Sequence, residues 1–177
     1  MIRKILPLLL AILLGAGWNI MAEIPHPDFN GFWKMNLDDP ESTPMSNLLK
    51  ALGRSWLVRK MADSVTTTQK ITQTEEQMII EIDSGIRKKT ETLVLDGSVE
   101  VKELDTLGVN AEVRSFWSED GQTIINVAKF KTEDGKDATW TAKRYIVDDG
   151  KKMKLDHLLE FEGGKLYKVT RVFIKQD

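Results

Sequence analysis

The chain has no cysteine among its 177 residues. That excludes a disulfide framework, a thiolate metal site and lipid modification of an N-terminal cysteine. Its two histidines, His26 and His157, lie far apart, so no metal-ligand spacing exists and neither metal nor other cofactor is expected. Proline is sparse, at five residues, and no Pro/Ser linker, low-complexity tract or long like-charge block divides the chain. Positive charge is not in excess: 25 Lys and Arg against 27 Asp and Glu argue against general nucleic-acid binding. Long hydrophobic runs are confined to Ile5 to Leu14, which is too short to span a bilayer comfortably.

That run has the layout of a secretory leader. Arg3 and Lys4 precede it, and the small residues Gly15, Ala16 and Gly17 follow. Residues 1–22 are expected to be a signal peptide, cleaved after Ala22 or near Gly17, with the protein periplasmic or secreted. Residues 23–177 then form one domain, large enough for its own core without staples.

What is present is a regular alternation of strand-like runs and turn signals. Asp96-Gly97, Gly108, Asp120-Gly121, Asp134-Gly135, Asp149-Gly150 and Gly163-Gly164 separate segments rich in Val, Ile, Thr and aromatics. Met153, Leu155, His157, Leu159 and Phe161 share one face of their run. Counting the run around Phe32 to Met35, the chain carries about ten strands. So many short neighbours are most economically rolled into an antiparallel up-and-down barrel, because closure removes exposed edges.

Residues 42 to 63 break the pattern. Thr43 can cap a helix starting at Pro44, with Met45, Leu48, Leu49 and Leu52 on one face, and Gly53 can end it. Ser55 can cap a second helix that turns Leu57, Val58 and Met61 inward and Arg59 and Lys60 outward. The pair would form a lid, about residues 43–63, over one mouth of the barrel. Lys50, Arg54, Arg59 and Lys60 give it a local positive surface, suited to transient contact with an anionic membrane.

Ordered together, several of these segments resemble the intracellular lipid-binding proteins, which comprise the fatty acid-binding and cellular retinoid-binding proteins. Phe29-Asn30-Gly31-Phe32-Trp33-Lys34-Met35 is similar to the family's first strand. Leu48-Leu49-Lys50-Ala51-Leu52-Gly53, followed by Val58-Arg59-Lys60-Met61-Ala62, is similar to its helix-turn-helix. Lys143-Arg144-Tyr145-Ile146-Val147 resembles its eighth strand and Thr170-Arg171-Val172-Phe173 its last. The likeness runs in order over roughly residues 27 to 177. It implies a ten-stranded calycin-type barrel, related to lipocalins and capped by the helix pair. It also implies that Arg144 and Arg171 hold a ligand carboxylate, with a tyrosine two residues after the second arginine. Phe173 stands where that tyrosine is expected, so recognition rests on arginine or water-bridged contacts, or the head group differs from a simple fatty acid.

The remaining site residues follow from parity. Trp140 shares a face with Ala142 and Arg144, and Asn126 with Ile124, Ala128 and Phe130, so both are expected to line the cavity, as is His157. Val99, Val101 and Glu103 share a face, and Glu103 is the acid expected to pair with the arginines inside. Trp33 reads as a core anchor and His26 as a residue without a role.

No nucleophile–base arrangement, no Gly-rich phosphate loop and no pair of carboxylates at a convincing mutual position is found, so no catalytic residue is expected. The preferred reading is non-covalent carriage of a hydrophobic anion, most simply a long-chain fatty acid, by a monomer. The alternatives are an isoprenoid, retinoid-like or bile-salt-like ligand, and a protein-interaction module without ligand.

Overall fold

A computed structural model describes residues 25–105 and 107–177, and the predicted leader lies outside them. β1 spans Gly31–Met35, α1 Ser46–Ala51 and α2 Trp56–Ser64. Nine further strands follow: β2 Thr68–Gln73, β3 Gln77–Asp83, β4 Lys88–Val94, β5 Glu100–Leu104, β6 Val109–Trp117, β7 Thr123–Lys131, β8 Asp137–Val147, β9 Lys152–Phe161 and β10 Lys165–Gln176. All ten strands are antiparallel neighbours in one sheet, ordered β4-β3-β2-β1-β10-β9-β8-β7-β6-β5. The first strand therefore sits mid-sheet against the last, with Trp33 opposite Lys175.

The turns explain the meander. Asp148 and Asp149 adopt φ of 53° and 51° before Gly150 at 87°, a left-handed run that only glycine and short polar residues take up readily. This lets β8 fold straight back as β9, with Tyr145 opposite Lys154 and Ala142 opposite His157.

The curled sheet is not closed by a backbone ladder. Among the described residues no ladder pairs β4 with β5; the segment after β4 meets β6 instead, where Asp96 bridges Phe116 and the Gly97 N–H donates to the Ser115 carbonyl at 2.9 Å. Side chains span the rest of the seam. Lys102 Nζ on β5 donates to the Thr92 carbonyl on β4 at 3.0 Å, and Lys89 Nζ on β4 lies 3.3 Å from Asp105 Oδ2. The expectation is full closure; the inward positions flanking this seam carry Lys89, Glu91, Glu100 and Lys102, whose ion pairs run within each strand, Lys89 with Glu91 and Lys102 with Glu100, while Lys102 to Thr92 and Lys89 to Asp105 reach across.

Two apolar clusters fill the ends of the barrel. One gathers Phe29, Trp33, Met78, Ile80, Met153 and Phe173. Trp33 is fully buried and its indole N–H donates to the Phe29 carbonyl at 2.8 Å, which satisfies its one polar atom. Burying each such side chain contributes about 1.5–3 kcal/mol. His26 is part of this end too: it stacks on Trp117 at 4.0 Å and its Nδ1 meets the Gly121 carbonyl at 2.9 Å. The other cluster brings Leu48 and Leu49 of α1 onto Leu107, Phe130 and Leu159.

The helix pair departs from expectation in two ways. Thr43 caps no helix; it stitches onto β10, accepting the Thr170 N–H at 2.8 Å, and Asp63 of α2 takes the Ser46 N–H at the start of α1 at 3.1 Å. Ser55 does cap α2 through the Val58 N–H. However, no residue of α2 is buried: Trp56, Leu57, Val58 and Met61 face solvent, while Arg59 is half-buried. The helix is amphipathic as its spacing indicates, but the buried plug is Leu48 and Leu49 of α1, to which α2 adds the partly buried Ala62.

Candidate functional site

A cavity of about 600 Å³ runs inward from the seam between β4 and β5. Its walls are Leu93, Val113, Ala128, Ala142 and Trp140 among apolar groups, and Thr90, Thr92, Glu91, Lys89, Lys102, Asn126 and His157 among polar ones. Alternation brings these together. Each inward row of the sheet takes every second residue of its strand, so Asn126, Ala142 and His157 fall side by side on β7, β8 and β9.

His157 is half-buried in this wall. Its Nδ1 accepts the Trp140 indole N–H at 3.2 Å, so the neutral ring carries its proton on Nε2. Burial, and then the charges of Arg144 and Arg171, push its pKa down to about 4, with Asp156 opposing. Asn126 donates its amide N–H to Ser115 Oγ at 2.8 Å. Among the described residues, neither His157 Nε2 nor Asn126 Oδ1 has a protein partner.

The two arginines are inside the barrel, at 6% and 4% exposure, yet neither lines the cavity. Arg144 Nη1 donates to Gln69 Oε1 at 2.7 Å and lies 3.3 Å from the Met153 sulfur. Burial lowers its pKa to about 10 against the favourable field of Glu91, so it remains a cation at neutral pH. Arg171 Nη2 donates to the Ala62 carbonyl at 2.9 Å and stands 3.8 Å from Asp63 Oδ1. Burial lowers its pKa as well, and Asp63 resists the shift. A cation on the last carbonyls of a helix is favourably placed, so Arg171 fastens the C-terminal turn of α2 to the barrel. Phe173 is packed beside Trp33 in the end cluster.

Glu103 faces outward. It pairs with Asn110, while Lys102 and Ala111 take the inward register, so the face shared by Val99, Val101 and Glu103 is the solvent face, with Val101 71% exposed. It still stands among the residues bordering the cavity. The acid whose charge reaches Arg144 is Glu91. Of the four lid cations, Lys50 and Lys60 are exposed, Lys60 lying over the Trp56 ring at 5.1 Å, while Arg54 lies 3.8 Å from Glu133. Lys89, Glu91, Lys102 and Ser115 were not anticipated as site residues. The alternation Lys89, Glu91, Leu93 was the available signal, obscured because charged residues occupy the inner face.

No family model and no curated protein sequence matches the chain. Solved structures do share its shape. The apo form of Caenorhabditis elegans lipid binding protein 8 matches with a TM-score of 0.62 at 16% identity, over 84% of this chain and 95% of that one. Human cRBP IV matches at 0.62 and 18% identity, over 85% and 99%. The REP1-NXSQ fatty acid transporter matches at 0.61 and 19% identity, over 84% and 96%. At these identities the likeness is one of fold: ten antiparallel strands with two helices between the first and second.

Proposed function

We propose that this protein binds a hydrophobic small molecule non-covalently inside the barrel and carries it, without chemistry of its own. The observation behind this reading is the cavity of about 600 Å³, which combines apolar walls with a few convergent polar groups, a composition suited to an amphipathic ligand. The names of the structurally similar proteins, a lipid binding protein and a fatty acid transporter, point the same way. Burial of an acyl tail supplies affinity at about 25 cal/mol per Å².

A long-chain fatty acid is the first ligand to test, and its carboxylate would have to draw Arg144 or Arg171 from their protein partners. Mass spectrometry of lipids retained by the chain from Glu23 onward, after exposure to a total lipid extract, decides the matter. A dominant bound acid, absent from an Arg144→Gln/Arg171→Gln variant, supports the fatty-acid reading. A folded protein that retains no lipid at all rejects the carrier reading.

A second reading, an isoprenoid or retinoid-like ligand with an uncharged head, is favoured by one feature. Both guanidiniums are engaged away from the cavity wall, and Phe173 offers no hydroxyl beside them. The leader makes export part of the proposal, and intact-mass analysis of the protein recovered outside the cytoplasm, with Glu23 as its first residue, tests it.

A further inference from the structure

We infer that Asn126 and His157 form a polar subsite that takes a hydroxyl group of the bound lipid. The inference rests on the carrier reading and names the head group that reading leaves open.

The subsite is built by register. Asn126 stands opposite Ala142, and Ala142 opposite His157, so the two polar side chains flank a methyl group on one inward row. Two strand spacings separate their Cα atoms, about 10 Å, and the small Ala142 leaves a dip between them. Each polar side chain is fixed by a neighbour on the wall: Asn126 by Ser115, His157 by Trp140. What remains for the cavity is one acceptor, Asn126 Oδ1, and one donor, the His157 Nε2–H. A hydroxyl satisfies both at once, because it donates to the amide oxygen and accepts from the imidazole. An ether or ketone can only accept.

A carboxylate is poorly matched to the same place. Both groups are neutral, and the cations that face the cavity are engaged: Lys89 by Glu91 and Asp105, Lys102 by Glu100 and the Thr92 carbonyl. An anion here would be desolvated without an unpaired counter-charge, whereas an uncharged hydroxyl exchanges its water contacts for two fixed partners.

The experiment is displacement of a neutral, environment-sensitive dye from the chain starting at Glu23, using hexadecanol, its methyl ether and hexadecanoate as competitors. The expected result is hexadecanol about tenfold tighter than the ether, the value of two modest hydrogen bonds against one. That preference should collapse in Asn126→Leu. It should collapse also in Ala142→Leu, which fills the dip while keeping both polar groups, so a folding failure in one variant leaves the other to decide. Equal binding of alcohol and ether by the parent overturns the subsite but leaves the carrier reading standing. Hexadecanoate binding tightest, with Asn126→Leu indifferent, does the same. A folded parent that takes neither dye nor any of the three lipids overturns both.

Discussion

Arg144 and Gln69 lie 75 residues apart in sequence and meet at 2.7 Å in the barrel interior. A guanidinium there is tolerated because the amide oxygen, and the more distant charge of Glu91, compensate part of its lost hydration. Arg144→Leu should therefore strand the Gln69 amide and cost about 1–3 kcal/mol in urea unfolding. Arg144→Leu/Gln69→Leu should recover part of that loss. If the double variant loses the full sum of the two single changes, the contact carries no coupling.

His157 should make the fold acid-labile. Its pKa is lowered from 6.5 to about 4 in the folded protein, so between those values the unfolded chain binds a proton that the folded chain does not. Stability is then complete above about pH 6.5 and falls as the pH drops towards 4. Between about pH 7 and about pH 5 the loss should be on the order of 2 kcal/mol. Urea titrations of parent and His157→Gln at both values test this; the variant should show a slope smaller by that amount, and parallel behaviour would remove the assignment.

The seam should be weaker than the rest of the wall. Lys102→Met removes the side-chain bond to Thr92 that spans it. Exposed contacts of this kind contribute about 0–1 kcal/mol, so dye association followed by stopped flow should accelerate by about two- to fivefold. Salt near 1 M should act in the same direction on the parent through screening of the Lys89–Asp105 pair. An unchanged rate in both cases would mean that molecules are admitted elsewhere.

The outward face of α2 gives a separate expectation. Trp56 and Leu57 are 64% and 60% exposed beside Lys60, an apolar and cationic combination suited to an anionic bilayer surface. Transfer of a fluorescent lipid to vesicles should quicken as anionic lipid is added and slow as salt rises, and Lys60→Glu should blunt both trends. Rates indifferent to vesicle charge would leave these residues as solvated surface only.

Much of this architecture is legible in the chain because strand periodicity is local. Asp120-Gly121, Asp134-Gly135 and Asp149-Gly150 mark hairpins, and the inward parity of Ile124, Asn126, Ala128 and Phe130 is the parity observed. Alternation does not by itself say which face is inner. On β5 the apolar Val101 looks out and the charged Lys102 looks in, where it pairs with Glu100 and reaches the Thr92 carbonyl across the seam, so the usual sign of the pattern is reversed. The same limit applies to α2, where amphipathic spacing is real but Trp56 and Leu57 stay largely exposed. The partners of Arg144 and Arg171 had no local signal at all. They are set by sheet register between distant segments, with Gln69 on β2 and Ala62 on α2.

The placement of β1 against β10 bears on how the chain can fold. Phe32 pairs with Gln176, so the middle of the sheet joins residues from opposite ends of the chain. Local hairpins can form early, but this central pairing must wait for closure of a loop spanning nearly the whole domain, an entropic cost that slows folding. During synthesis, the barrel cannot be completed until the final strand has left the ribosome. Losing residues of β10 would therefore cut into the interior of the sheet, between β1 and β9, and not trim an edge.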